Sequence, residues 1–100
     1  MPDLTSKQRA HLRGLAHTLK PAAHIGKDGV TQAVIDALRQ TFRTHELVKV
    51  RVLESAPDAA RGTAHALAAE VDGASVVQVV GRNATLYRPD PDEPEILLPG

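Results

Sequence analysis

The chain has no cysteine and no tryptophan, and its only aromatics besides histidine are Phe42 and Tyr87. Without cysteine there is no disulfide framework and no thiolate-bound metal. Without aromatics there is no row of stacking platforms of the kind that single-strand nucleic-acid binders use for successive bases. Tyr87 is expected to be a half-buried strand residue, and aliphatic side chains with alanine must build the core. No apolar run approaches the ~18 residues of a membrane span. The leading segment Met1-Pro2-Asp3-Leu4-Thr5-Ser6-Lys7 lacks the charged-then-apolar pattern of a secretory signal, so a cytoplasmic location is expected. One hundred residues are enough for one core and not for two, and a monomer is the simplest expectation.

Net charge is also absent, with 12 basic and 12 acidic residues, but the two signs are segregated. Residues 1–52 hold nine Lys/Arg against four Asp/Glu, and residues 53–100 hold three against eight. Four of those acids fall in the closing stretch Pro89-Asp90-Pro91-Asp92-Glu93-Pro94-Glu95. A neutral protein divided in this way can still present a local attractive field. The boundary between a domain at residues 1–89 and an acidic, proline-rich tail at 90–100 follows from the same shift, with Ile96-Leu97-Leu98 placed to dock back.

Thr5-Ser6-Lys7-Gln8 fits a capping box that opens a first helix. Leu12, Leu15, Ala16 and Leu19 form its apolar stripe. At ~100° per residue, Arg9, Arg13 and His17 line one flank of that stripe, and Lys7 and His11 the other. Pro21 should stop the helix near Lys20, and Leu19–Ile25 reads as a strand. A second helix is predicted over Val30–Arg43, apolar at Val30, Ala33, Val34, Ala37, Leu38 and Thr41, with Ile35 and Phe42 widening the face. Leu47–Leu53 alternates between Val48, Val50 and Val52 on one side and Lys49 and Arg51 on the other, a half-buried strand with a basic face. A third helix starts at Pro57-Asp58 and ends at Asp72-Gly73. Ser75–Val80 suits a central strand, and Ala84–Arg88 returns as its hairpin partner across Gly81-Arg82-Asn83. The α-β-α-β-α-β-β order implies an α/β fold, a mixed sheet packed with helices.

Between the first strand and the second helix lies Gly26-Lys27-Asp28-Gly29. A Gly-x-x-Gly turn that opens a helix can present free backbone N–H groups at the positive end of the helix dipole, an anion site of the type with which KH modules clamp a nucleic-acid backbone. The same residues also fit an ordinary tight turn whose glycines permit positive φ.

Several blocks together resemble the YhbY-like, or CRM (chloroplast RNA splicing and ribosome maturation), domain. They are Thr5–Arg9, Gly14-Leu15-Ala16-His17 with Leu19-Lys20-Pro21, Ile25–Thr31, His45–Val50, Val76–Gly81 and Leu86-Tyr87-Arg88-Pro89, in the family's order and spacing over residues 4–89. The resemblance implies a compact domain with a four-stranded sheet, similar to the C-terminal domain of translation initiation factor 3, whose Gly-x-x-Gly loop meets RNA. It also implies a bacterial single-domain form acting on ribosomal RNA in precursors of the large ribosomal subunit. The acid at Asp28 departs from what a phosphate clamp wants. It is expected to turn inward and cap the second helix; pointing outward, it would weaken the clamp.

The candidate RNA-binding surface therefore joins Gly26, Lys27, Asp28 and Gly29 to Arg9, Arg13, His17 and Lys20, with Lys7 and Lys49 as secondary members. Affinity should come from phosphate contacts and shape, and fall steeply with salt. No cofactor is implied. Nor is an enzyme expected: the five histidines show no i, i+4 metal pair, and no nucleophile elbow, H-E-x-x-H or Walker loop is present. The competing reading is a protein-interaction module whose basic half docks an acidic partner, with the acidic tail screening that half in the free state.

Overall fold

The computed structural model describes residues 4–99. The first three residues of the leading segment and the last of the tail lie outside them. The elements are α1 (Ser6–Ala16), β1 (Ala23–Ile25), α2 (Gln32–Thr41), β2 (Leu47–Val52), α3 (Ala60–Glu70), β3 (Ser75–Val80) and β4 (Asn83–Tyr87). The four strands form one mixed sheet in the order β1-β2-β4-β3, with β1 parallel to β2 and the other pairs antiparallel. The expected α/β order and mixed four-stranded sheet are both present.

The capping box forms as the sequence predicts. The Thr5 hydroxyl accepts from the Gln8 N–H at 3.1 Å, and the Gln8 side chain accepts from the Thr5 N–H at 3.0 Å. Leu12 and Ala16 are buried, but Leu15 is 43% exposed. The helix is rolled toward its Arg9 flank, because Arg9 is bound to the sheet and Leu15 is carried outward. The strand predicted from Leu19 is only three residues long. The Leu19 N–H still closes a turn on Ala16 O, and pairing with β2 starts where the Ala22 N–H reaches Lys49 O. In α2 the N-cap is Thr31, whose hydroxyl accepts from the Val34 N–H at 3.2 Å. Ile35, Leu38 and Phe42 enter the core while Ala33 and Ala37 stay exposed.

The two faces of the sheet are covered unequally. On one, α2 and α3 bury Ile25, Val48, Val50, Ala84 and Leu86. On the other, α1 covers Leu47, Val77 and Tyr87, leaving the Lys49–Arg51 end of the same face open. Alternation along β2 explains the split: Val48, Val50 and Val52 point to the two-helix side, and Leu47, Lys49 and Arg51 to the α1 side.

β3 is an edge strand and not the central one expected from its apolar run. Its pairing with β4 skips a residue: Val76 opposes Leu86 and Gln78 opposes Thr85, so Val77 is a bulge. Arg9 Nη1 donates to the carbonyls of Val76 at 2.7 Å and Val77 at 2.9 Å, satisfying acceptors at the point where the ladder is disturbed. The run is apolar because both its faces pack, Val76 and Val79 on the two-helix side and Val77 beneath α1. Val80 alone is 62% exposed. β4, shorter and less apolar in sequence, takes the central position.

The tail is irregular, as expected, and it docks on a buried acid. The carboxylate of Glu46, 8% exposed, accepts the backbone N–H groups of Asp90 (2.6 Å), Glu95 (2.8 Å) and Ile96 (2.7 Å). Ile96 and Leu98 pack on the α1 core while Leu97 is 82% exposed. Nearby, burial and then the Glu46 charge raise the pKa of the Tyr87 phenol. Tyr87 is more deeply placed than the half-buried position expected.

Replacing Glu46 with Gln substitutes a donor for one of the carboxylate oxygens and weakens charge-assisted bonds. Glu46→Gln should lower stability by about 1.5–3 kcal/mol and speed amide exchange at Asp90, Glu95 and Ile96. Hydrogen exchange combined with denaturant titration measures both.

Candidate nucleic-acid interface

The Gly26–Gly29 segment is a closed β-turn, with the Gly29 N–H donating to Gly26 O at 2.9 Å. The second helix begins three residues beyond it. The Gly29 N–H is therefore used inside the turn, and the expected array of free N–H groups at a helix start does not form at the glycines. Lys27 and Asp28 occupy the exposed tip. Asp28 is exposed and does not serve as the helix cap, a role that Thr31 takes. Asp28 thus puts an exposed carboxylate next in sequence to Lys27, the outward arrangement expected to weaken the clamp.

The two glycines do different things. Gly29 has φ +66°, and a Cβ there would meet Pro57 Cγ at 2.9 Å. Gly26 has no positive φ, and its nearest neighbour to an added Cβ is Ser55 Oγ at 3.7 Å, an ordinary contact. Only Gly29 is required by the fold.

The turn lies at the end of the sheet where β1 and β2 finish, and the open face starts there. Strand register aligns its side chains in two ranks. His24 pairs with Arg51, Arg51 with Asn83, and Asn83 with Val80. Behind them Lys49 pairs with Thr85, and Thr85 with Gln78. Arg13 and Gly14 of α1, with His17 just past its end, form a wall over these ranks, and with Lys49, Gln78 and Asn83 they line a groove of about 500 Å³. Lys20 stands beside Lys49 where the chain passes from α1 to β1. Arg13, His17 and Lys49 are thus brought together with Lys20 beside Lys49, and Lys27 is exposed in the turn beyond β1.

Arg9 and Lys7 are not part of this cluster. Arg9, predicted as a phosphate contact, is half-buried with Nη1 held by two carbonyls, so it builds the sheet. Lys7 is exposed on α1 about 120° round the helix from Arg13. Two further nitrogen-bearing side chains on the face were not in the predicted set. Arg51 was visible as half of the basic alternation in β2. His24 could not be placed without knowing that its short strand lies parallel to β2. A second basic depression, with Arg39, Arg43 and Arg88, lies elsewhere. There Arg39 Nη2 donates to Glu70 O at 2.7 Å and Arg88 Nε to Asp72 O at 2.9 Å, satisfying carbonyls at the end of α3.

Among the described residues, no three His, Cys, Asp or Glu are grouped to hold a metal ion, and no helix is long and apolar enough to cross a membrane. What the open face offers chemically is fixed cations, polar amides and hydroxyls, a combination suited to a polyanion.

The unequal glycines lead to a direct test of the turn. Gly29→Ala combines a positive φ with a contact to Pro57 and should cost about 1–3 kcal/mol in stability. Gly26→Ala should fold with stability within about 0.5 kcal/mol of the parent. Thermal denaturation of the two variants measures the difference.

Comparison with known proteins agrees with this architecture. Residues 4–88 match the family model described as the CRS1 / YhbY (CRM) domain. The chain is 35% identical over 99 residues to an RNA-binding protein of Haemophilus influenzae, covering 99% of this chain and 98% of that protein. It is 33% identical over 96 residues to the Bacillus subtilis protein named probable RNA-binding protein YqeI, covering 96% and 99%. It is also similar to a solution structure from Staphylococcus aureus, a hypothetical protein described as a candidate RNA binder. That match has a TM-score of 0.79 and 37% identity and covers 97% of this chain and all of the other. With the family model spanning the whole αβ body and relatives matched nearly end to end, this chain belongs to the CRS1/YhbY (CRM) domain family.

Proposed function

We propose that this protein binds RNA across the open face of its sheet, with ribosomal RNA in precursors of the large ribosomal subunit as the target and ribosome assembly as the role. The observation that carries the reading is the alignment of Arg13, His17, Lys49 and Arg51 on one uncovered face, with Lys27 exposed in the turn beyond β1. The names of two relatives matched over almost their full length, one an RNA-binding protein and one a probable RNA-binding protein, support RNA as the polyanion. The Gly-x-x-Gly turn then acts as a compact, closed knuckle that lets the phosphate backbone approach Gly26, with Lys27 as the contacting charge.

Protein docking through the same basic face is the alternative. The position of the tail argues against the self-screening version of it. The tail is anchored on Glu46, at the start of β2, while Arg51 and the turn lie at the finish of that strand. The anchor is therefore at the opposite end of β2 from Arg51 and the turn.

In lysate sedimentation, the wild-type protein is expected to travel with large-subunit precursors at low salt. Lys27→Glu and Lys49→Glu, each confirmed to be folded, should move to the top of the gradient, whereas Lys7→Glu should stay bound. About four phosphate contacts imply a loss of roughly 50-fold in affinity for purified RNA between about 50 and about 200 mM salt. Binding that survives ribonuclease treatment of the lysate would favour the protein partner instead.

A further inference from the structure

β3 closes the sheet on one side, so part of its backbone faces away from β4, and the register says which part. Gly81 and Arg82 form a two-residue turn, with φ +58° at Gly81, and Val80 pairs with Asn83 directly across it. That is the hydrogen-bonded pair of a tight hairpin. In an antiparallel ladder the next residue turns both its N–H and its C=O the other way. Val79, opposite Ala84, therefore presents a donor and an acceptor to the free edge. At the bulge the carbonyls of Val76 and Val77 face that edge too, and Arg9 Nη1 takes both. The outward groups of Val79 have no partner among the described residues.

This edge is sunk between helices that cover opposite faces of the sheet. Residues 76–79 floor a depression of about 420 Å³, with Arg9 of α1 on one side and Arg61 and His65 of α3 on the other. Among the described residues, no acid lines it. Arg61 and His65 stand one turn apart, exposed and without a partner among the described residues. Arg9 is held differently. The two carbonyls fix its Nη1, while Nε and Nη2 have no partner among the described residues and are not buried. The guanidinium is thus pinned by the strand with two nitrogens open to an incoming carboxylate, so little side-chain freedom is lost on binding.

We propose that the free edge of β3 takes a short acidic segment of a partner protein as an added strand. Its backbone exchanges two hydrogen bonds with Val79. Its carboxylates alternate between the Arg9 side and the Arg61–His65 side, as side chains of an extended chain do. Because Arg9 already holds the carbonyls at the bulge, backbone pairing is confined to the Val79 end, and the segment meets a guanidinium further along. The docked length is about four residues, roughly 13 Å at the strand rise. The couple at Val79 selects the ligand class: a peptide backbone carries an N–H and a C=O at the spacing of one strand residue. An RNA strand answers the cations but does not reproduce that couple. The charged walls of this depression are separate from Arg13, Lys49 and Arg51 of the open face, so the inference goes beyond the RNA reading: one domain holds a protein segment at its edge and RNA on its face.

The test uses two fluorescein-labelled peptides, one of six residues alternating Glu and Val, and the same peptide with its backbone nitrogens methylated. Affinity is read by anisotropy and location by the amide resonances of isotope-labelled protein. Wild type should bind the first peptide saturably, with the amides of Val76 and Val79 moving most. The methylated peptide keeps its charges and should bind about tenfold more weakly, the loss of the backbone hydrogen bonds. Arg61→Glu, folded by its amide spectrum, should weaken the first peptide about fivefold. Arg43→Glu makes the same charge change at a different depression and should leave it unchanged. Equal affinity for the two peptides, equal losses in the two variants, or resonance shifts centred on Lys49 and Arg51 would reveal attraction by charge alone and overturn the added strand. So would failure of wild type to bind either peptide. RNA binding is read separately through Lys27→Glu and Lys49→Glu, so the two readings fail independently.

Discussion

The placement of one extra residue in an edge strand governs how this fold presents its surface. Val77 is accommodated as a bulge, and Arg9 reaches from α1 to hold the two carbonyls that the bulge leaves beside the helix. That contact ties α1 to one end of the sheet, over Leu47, Val77 and Tyr87, and keeps it off the other. The phase change beyond the bulge turns Gln78 and Val80 toward the exposed side. The basic residues of β2 therefore have a polar neighbourhood instead of a helix above them.

The nitrogen-bearing side chains on and just past α1 are consequently divided by depth. Arg9, nearest the buried stripe, works on the protein's own backbone. Arg13 and His17, further round, look over the open ranks, and Lys7 looks away. The same division of labour appears in the Gly-x-x-Gly turn, where Gly29 is demanded by backbone conformation and by Pro57. Gly26 is free of both demands. A motif that reads as one unit is, physically, a structural residue and an approach point.

Much of this was legible in the chain. The capping box at Thr5, the alternation in β2 and the order of elements all rest on interactions among residues close in sequence, and those survive unchanged in the fold. What was not legible depends on partners far along the chain. Nothing near Arg9 announces that two carbonyls some 67 and 68 positions away will claim it. The continuous apolar run of β3 suggests a central strand because burial by a helix on each face resembles burial between strands. Thr31 displaces Asp28 as the helix cap because the closed turn uses residues 26–29 before the helix starts. The alternation did mark Arg51, but its place beside His24 and Asn83 needed the sheet register.

The Glu46 anchor bears on the order in which such a domain can form. Its acceptors wait for the amides of Asp90, Glu95 and Ile96, while Gln8 reaches to the carbonyl of Pro99 at 3.3 Å. Contacts of such sequence separation close late and slowly relative to local ones. During synthesis α1 precedes β3 and the tail that hold it, so it completes its set of neighbours only after they have followed.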